Sequence, residues 1–213
     1  MNDAGDKGKL ADTAYQSLLA KILSHDMPGG TVIQERKLAE SMNISRTPMR
    51  DALGRLEGEG LLVRLTDRLL SVRVITLDDY LHSLDVRAMM EPQAAALCVP
   101  RVTADLLAAL QAELDRLAAY QGSELDDRHW QFDDLLHETV AERSGNPFLF
   151  KVIREMRRYT KIFERQTVPT RLRPGLEDHR RLLAALATGR PDKARDVMAE
   201  HIRNVRKRAL DGL

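Results

Sequence analysis

The sequence predicts a mainly α-helical protein, with an N-terminal winged helix-turn-helix followed by a C-terminal antiparallel bundle of six helices. Three observations carry that prediction. Residues 34–53 read as two short helices around a tight turn at Met42-Asn43-Ile44. Residues 61–75 hold two short runs rich in Leu and Val. From Thr76 onward the apolar spacing is helical to the end, and only 4% of residues are aromatic, which favours helices over sheets.

Met1 to Gly8 is polar without an apolar signal-peptide core, so residues 1–9 are expected to form a flexible tail. Leu10, Ala14, Leu18 and Ile22 recur every four residues and predict a helix over 10–25, ended by Met27-Pro28-Gly29-Gly30. In the next pair of helices, Leu38 and Ala39 are apolar on the first, and Met49, Ala52, Leu53 and Leu56 line the second. Ser45 or Thr47 can cap that second helix, and Pro48 suits its first turn, where no intrahelical N–H is needed. After Gly58 and Gly60, strands are expected at 61–65 and 71–75 around Thr66-Asp67-Arg68. These pieces form a winged helix-turn-helix over 10–75. Thr76 with Asp79 resembles a capping box and opens the second part, 76–213. Its helices are placed near 77–98, 104–120, 124–143, 147–166, 174–188 and 191–210. Pro100 to Thr103, Gly122-Ser123, Gly145-Asn146-Pro147, Pro169 to Pro174 and Gly189-Arg190-Pro191 punctuate them.

Composition narrows the function. No apolar run approaches ~18 residues, so no membrane span is expected. A lone cysteine, Cys98, excludes an internal disulfide and fits a reducing, cytoplasmic setting; its apolar neighbours make it a buried, inert thiol. Net charge is only +1, but Arg36, Lys37, Arg46, Arg50 and Arg55 cluster within residues 36–55 against Glu40 and Asp51. Alone, such a cluster is equally a solvated face. Here it accompanies a helix that opens with Arg46, Thr47 and Arg50, as a recognition helix does at the edge of the DNA major groove. No Gly-rich phosphate loop or nucleophile elbow is present.

Three of six histidines interrupt apolar stripes. His201 follows Ala194, Val197 and Met198; His179 lies among Leu176, Leu183 and Leu186; His137 sits one turn after Asp133, beside Leu136 and Val140. One inward histidine is ordinarily bonded to a carbonyl or carboxylate. Three with an aspartate, on three helices of one core, would each be costly unpaired, and a divalent cation satisfies all four together. Donors of this kind suit Zn²⁺, Ni²⁺, Mn²⁺ or Co²⁺, with Zn²⁺ the first choice. Arg87 precedes Glu91 by one turn, the spacing of an intrahelical pair.

The two halves resemble a GntR-family transcription regulator with a C-terminal FCD effector domain. The first half carries Pro28-Gly29, Glu35, Leu38-Ala39, the run Ser45 to Leu53, and Leu56-Glu57-x-Glu59-Gly60-Leu61. The second carries Arg87-Ala88-x-x-Glu91-Pro92, Asp133-x-x-Leu136-His137, Ser144-Gly145-Asn146-Pro147, Glu177 to Arg180 and His201. Six bundle helices resemble the VanR-like branch of the FadR subfamily. The resemblance implies Arg36, Arg46, Thr47 and Arg50 as DNA contacts, and Asp133, His137, His179 and His201 as metal ligands. It places Arg87 and Asn146 toward an effector. Three positions depart from the family pattern: Arg68 is followed by Leu69-Leu70 where the wing tip usually has Arg-Gly, Leu136 replaces a Phe, and Gly54 lies inside the recognition helix.

The expectation is therefore a bacterial, cytoplasmic, nucleoid-associated homodimer on a palindromic double-stranded operator. A small carboxylate metabolite bound at the metal would control a repressor. Two other readings stay open: a purely structural metal without effector, and a metallohydrolase fused to a DNA-binding module, against which four protein ligands leave little open coordination.

Overall fold

A computed structural model describes residues 3–120, 127–167 and 175–211. It divides into two compact units, Met1–Thr76 with Lys161–Gln166, and Leu77–Thr160 with Thr167–Leu213.

The first unit contains α1 (Asp3–Leu23), α2 (Glu35–Ser41), α3 (Arg46–Gly58), β1 (Leu62–Thr66) and β2 (Leu69–Val72). Helix α1 begins at Asp3, so most of the stretch read as a tail continues the helix. Its inward stripe is Ala11, Ala14, Tyr15, Leu18, Leu19 and Ile22, whereas Leu10 is exposed. The turn between α2 and α3 passes through Asn43 in the left-handed region (φ 51°), where the Ile44 N–H bonds Ala39 O at 3.0 Å. Asn tolerates that conformation better than most residues. Ser45 occupies the N-cap of α3 without a side-chain cap bond, and Pro48 is buried in the first turn. Met49, Ala52, Leu53 and Leu56 are buried, as the spacing predicted.

The wing differs in register from expectation. Leu69 and Leu70 lie in β2 instead of at its tip, with Thr66 opposite Leu69 and a bulge between Arg64 and Thr66. The reason lies upstream. Residues 30–33 pair along the other edge of β2, with Ile33 N–H to Leu70 O and Val72 N–H to Thr31 O, both 2.9 Å. That pairing draws Leu69 and Leu70 into the strand, whereas beyond Val72 it stops. A Cβ on Gly29 would stand 3.0 Å from the Val74 Cα, a tight contact that glycine avoids where the chain passes close to residues 73 and 74.

The second unit contains α4 (Leu77–Cys98), a short 3-10 turn at Val99–Arg101, α5 (Ala104–Ala118), α6 (Asp127–Arg143), α7 (Pro147–Thr167), α8 (Leu176–Ala187) and α9 (Pro191–Asp211). The expected breaks at Gly122-Ser123 and Pro169 to Pro174 lie outside the described residues. Helix α4 packs chiefly on α9 and then α6, while α8 lies against α9 and α5. Tyr80, Leu84, Leu114, Phe132, Leu136 and Ile153 fill this core. Cys98 is buried, and burial pushes its thiol up to about 11, consistent with an inert core residue. Among the described residues no helix is long and apolar enough to cross a membrane.

Candidate metal centre and DNA-reading face

Asp133 and His137 stand one turn apart on α6, His179 is in the first turn of α8, and His201 lies midway along α9. The apolar residues around each histidine hold its face inward. Leu136 and Val140 flank His137, Leu182 and Leu183 follow His179, and Met198 and Ile202 bracket His201, all buried. One ligand atom from each of the four residues falls within 4.8 Å of the others. The histidine rings lie close and tilted to one another, with centroids 5.0 Å apart for His137–His201 and His179–His201.

Polar accounting makes the cluster unusual. His137 Nε2 and both ring nitrogens of His179 and His201 are buried with no hydrogen-bond partner. His179 Nε2 lies 3.1 Å from Asp133 Oδ1, close but not aligned as a hydrogen bond. Leaving several buried imidazole nitrogens unsatisfied costs a few kcal/mol in sum at least. Aliphatic packing cannot recover that, whereas a cation accepting the lone pairs can. The donor set therefore fits a divalent metal.

Around the cluster lies a shell of charge that the sequence reading left largely unassigned. Glu91 on α4 accepts from His137 Nδ1 at 2.5 Å and from Arg87 Nε at 2.5 Å. Burial works to raise the Glu91 carboxyl, but the Arg87 charge and then His137 outweigh it and hold it well below the usual range. Asp133 is likewise held low against its burial, chiefly by the Arg157 guanidinium, whose Nη2 donates to Asp133 Oδ2 at 2.6 Å and Asp134 Oδ1 at 2.9 Å. His137 is driven down to about 4 by burial and the Arg157 charge, and His201 to about 3 by burial. Both are neutral near pH 7, the form that ligates metal. Asp178, 3.7 Å from His201 Nδ1, accepts from Arg208 at 2.7 Å and Asn204 at 3.0 Å.

Arg87 is buried beside the cluster, but its Nε is committed to Glu91 and its Nη1 to Thr160 Oγ1 at 3.2 Å. The intrahelical pair is thus formed, and it supports His137. Asn146 follows the end of α6 and stands at the start of α7. Its Oδ1 accepts from the N–H groups of Phe148 and Leu149 at 3.0 and 3.3 Å, capping α7. Arg157 was missed. The available signal was its spacing, four residues after buried Ile153 and three before buried Thr160 on α7.

On the first unit, Arg46, Thr47 and Arg50 are exposed at the start of α3. Glu35 of α2 accepts from Arg46 Nε at 2.8 Å and from Arg50 Nε at 3.0 Å. Arg36 is exposed and pairs with Glu40 at 3.3 Å. A groove runs between α3 and the wing, where Arg46, Arg50, Arg64 and Arg68 stand beside Glu35, Glu57 and Asp67. Three of these arginines are paired with acids, Arg46 and Arg50 with Glu35 and Arg64 with Glu57.

Residues 10–68 match the family described as bacterial regulatory proteins, gntR family, and residues 82–204, more than half of the chain, match the FCD domain. The chain is a GntR-family transcription regulator with an FCD domain. GntR-family relatives agree along most of its length. The Nta operon transcriptional regulator of Aminobacter aminovorans is 27% identical over 186 residues, covering 84% of this chain and 85% of that protein. The gluconate operon transcriptional repressor of Bacillus licheniformis is 26% identical over 78% of this chain and 68% of its own. Among solved structures, E. coli McbR/YncC shares the fold with a TM-score of 0.80 at 23% identity, covering 96% of this chain and 99% of that one.

Proposed function

We propose that this GntR-family regulator is a repressor whose affinity for operator DNA is set by a small organic acid bound at a metal in its FCD bundle. The observation that carries the reading is the buried convergence of Asp133, His137, His179 and His201 with ring nitrogens left unpaired. His137 Nε2 is the ligating atom on its ring, because Nδ1 is engaged by Glu91. Zn²⁺ suits neutral imidazoles with one carboxylate, and Ni²⁺, Mn²⁺ or Co²⁺ are accommodated by the same donors. Such a cation supplies an electrophilic anchor for a carboxylate or hydroxyl oxygen.

At the other end, Arg46 and Thr47 would meet base edges while Arg36 and Arg50 hold phosphate or guanine. Two copies of the chain would set two recognition helices in successive major grooves of a palindromic site. The acid regulates only through unequal affinity for two arrangements of the protein. The Bacillus licheniformis relative is a gluconate operon transcriptional repressor, which favours repression and an acid ligand here.

A purely structural metal is the second reading, favoured by the burial of all three histidines. Thermal unfolding of metal-loaded and chelator-treated protein across a panel of organic acids, with duplex binding measured in parallel, tests both. Stabilisation by an acid only with metal present, together with weakened operator binding, is expected. A metal-dependent Tm with no acid effect would leave the structural reading.

A further inference from the structure

Resting on the reading of α3 as the helix that meets duplex DNA, we infer that Arg64 is a strut that aims the wing, and that Arg68 at the wing tip is the cation so presented to a backbone phosphate. Four arginines stand in the groove between α3 and the wing, and the way each is bonded sorts them by task. Arg46 and Arg50 are engaged by Glu35 through Nε alone. Their terminal nitrogens have no protein partner among the described residues, and these are the atoms that reach a base edge or a phosphate.

Arg64 is held the other way round. Its Nε and Nη2 donate to the two oxygens of Glu57 at 2.9 and 2.7 Å, and its Nη1 donates to Asp67 O at 3.0 Å. All three nitrogens of the guanidinium are therefore engaged inside the protein. One side chain ties together the last turn of α3, where Glu57 lies, strand β1, and the turn at Asp67 and Arg68 between the strands. A two-bonded fork on a carboxylate fixes orientation as well as distance. The ladder cannot do that alone, because a bulge between Arg64 and Thr66 interrupts it just before the tip. Exposed ion pairs add little to stability, so the effect of this one is on direction.

Arg68 is exposed, and its guanidinium has no partner among the described residues. It stands in the same groove as Arg46 and Arg50. With α3 in a major groove, the sugar-phosphate strand bordering that groove passes between helix and wing. A phosphodiester oxygen is what an exposed, unpaired arginine takes there. Arg64 therefore acts on DNA only through Arg68.

Arg64→Lys, Arg68→Ala and the double variant of the full chain test this, with Arg46→Ala beside them. Tm is measured for each. Binding is titrated over a salt series with a duplex selected from a random pool by the wild-type protein and with a scrambled duplex of equal length. Tm is expected to stay within about 3 °C of wild type in the Arg64 and Arg68 variants. Arg68→Ala should weaken both duplexes several-fold and flatten the salt slope by about 0.9 for each wing engaged. Arg64→Lys keeps the charge but loses the fork, and should reproduce the Arg68→Ala loss. In the double variant it should add nothing further.

Wild-type binding by Arg64→Lys, or a double variant weaker than Arg68→Ala, overturns the strut. So does a larger Tm fall in Arg64→Lys, which would make the pair a support of the fold. An unchanged salt slope in Arg68→Ala removes the phosphate contact. If these variants fail while Arg46→Ala loses preference for the selected duplex, only this inference is lost. If Arg46→Ala keeps that preference, α3 is not the reading helix and the inference falls with it.

Discussion

Glu91 receives the Nδ1 proton of His137 at 2.5 Å, and this bond fixes which face of the imidazole carries the lone pair. With the proton held on Nδ1, Nε2 points toward Asp133, 3.7 Å away, as a neutral donor. The same carboxylate neutralises Arg87, so three helices are tied through one group: α4, α6 and, via Thr160, α7.

Glu91→Gln is expected to weaken metal binding by about 10–100-fold through the misdirected imidazole. Chelator-competition titration reads this directly. Glu91→Ala also strands buried Arg87, at a cost of about 3–5 kcal/mol in urea unfolding. Unchanged metal affinity in both variants would remove Glu91 from the site's support.

Acid should destabilise the metal-free protein over a defined window. His137 and His201 take a proton only at about 4 and about 3 in the folded chain, against 6.5 for an ordinary imidazole. Between pH 6.5 and about 3 the unfolded chain therefore binds more protons, so stability falls as pH falls. Above pH 6.5 these two rings contribute no slope. Urea midpoints across pH 3–8 check this, and a flat profile from 6.5 to 4 would contradict the buried neutral state.

Glu35 pairs with two arginines in the first turns of α3. By accepting the Nε of Arg46 and of Arg50, it leaves their terminal nitrogens facing outward and puts a negative charge beside the groove. Glu35→Gln is expected to raise affinity for random duplex and to lower the preference for a selected operator several-fold. Arg46→Ala should lose about 1–3 kcal/mol of that preference with the fold intact. Binding titrations over a salt series separate the two effects, since only the random-duplex contribution follows phosphate charge.

Gly54 offers a stability test with no packing consequence. A Cβ there meets nothing within 4 Å, so Gly54→Ala should stabilise by about 1 kcal/mol through helix propensity alone. Destabilisation would show strain in α3 that the contacts do not reveal.

The inward convergence of Asp133, His137, His179 and His201 could be read from sequence because each histidine breaks an apolar stripe, and a buried polar group must find a partner. Arg157 escaped notice for the opposite reason. It stands among Arg154, Arg158 and Lys161, a setting that resembles a solvated face, and its partners lie on another helix. Asn146 was assigned through resemblance alone, and the helix-capping role of its Oδ1 was not read. The wing register was misread because the pairing that sets it comes from residues 30–33, outside the hairpin.

The four donor residues are drawn from three helices that lie far apart along the chain. A cation there would act as a clasp closing two long loops, and shrinking the denatured ensemble in this way slows opening as well as opposing it. Loss of such a cation would then shorten the protein's lifetime against proteases.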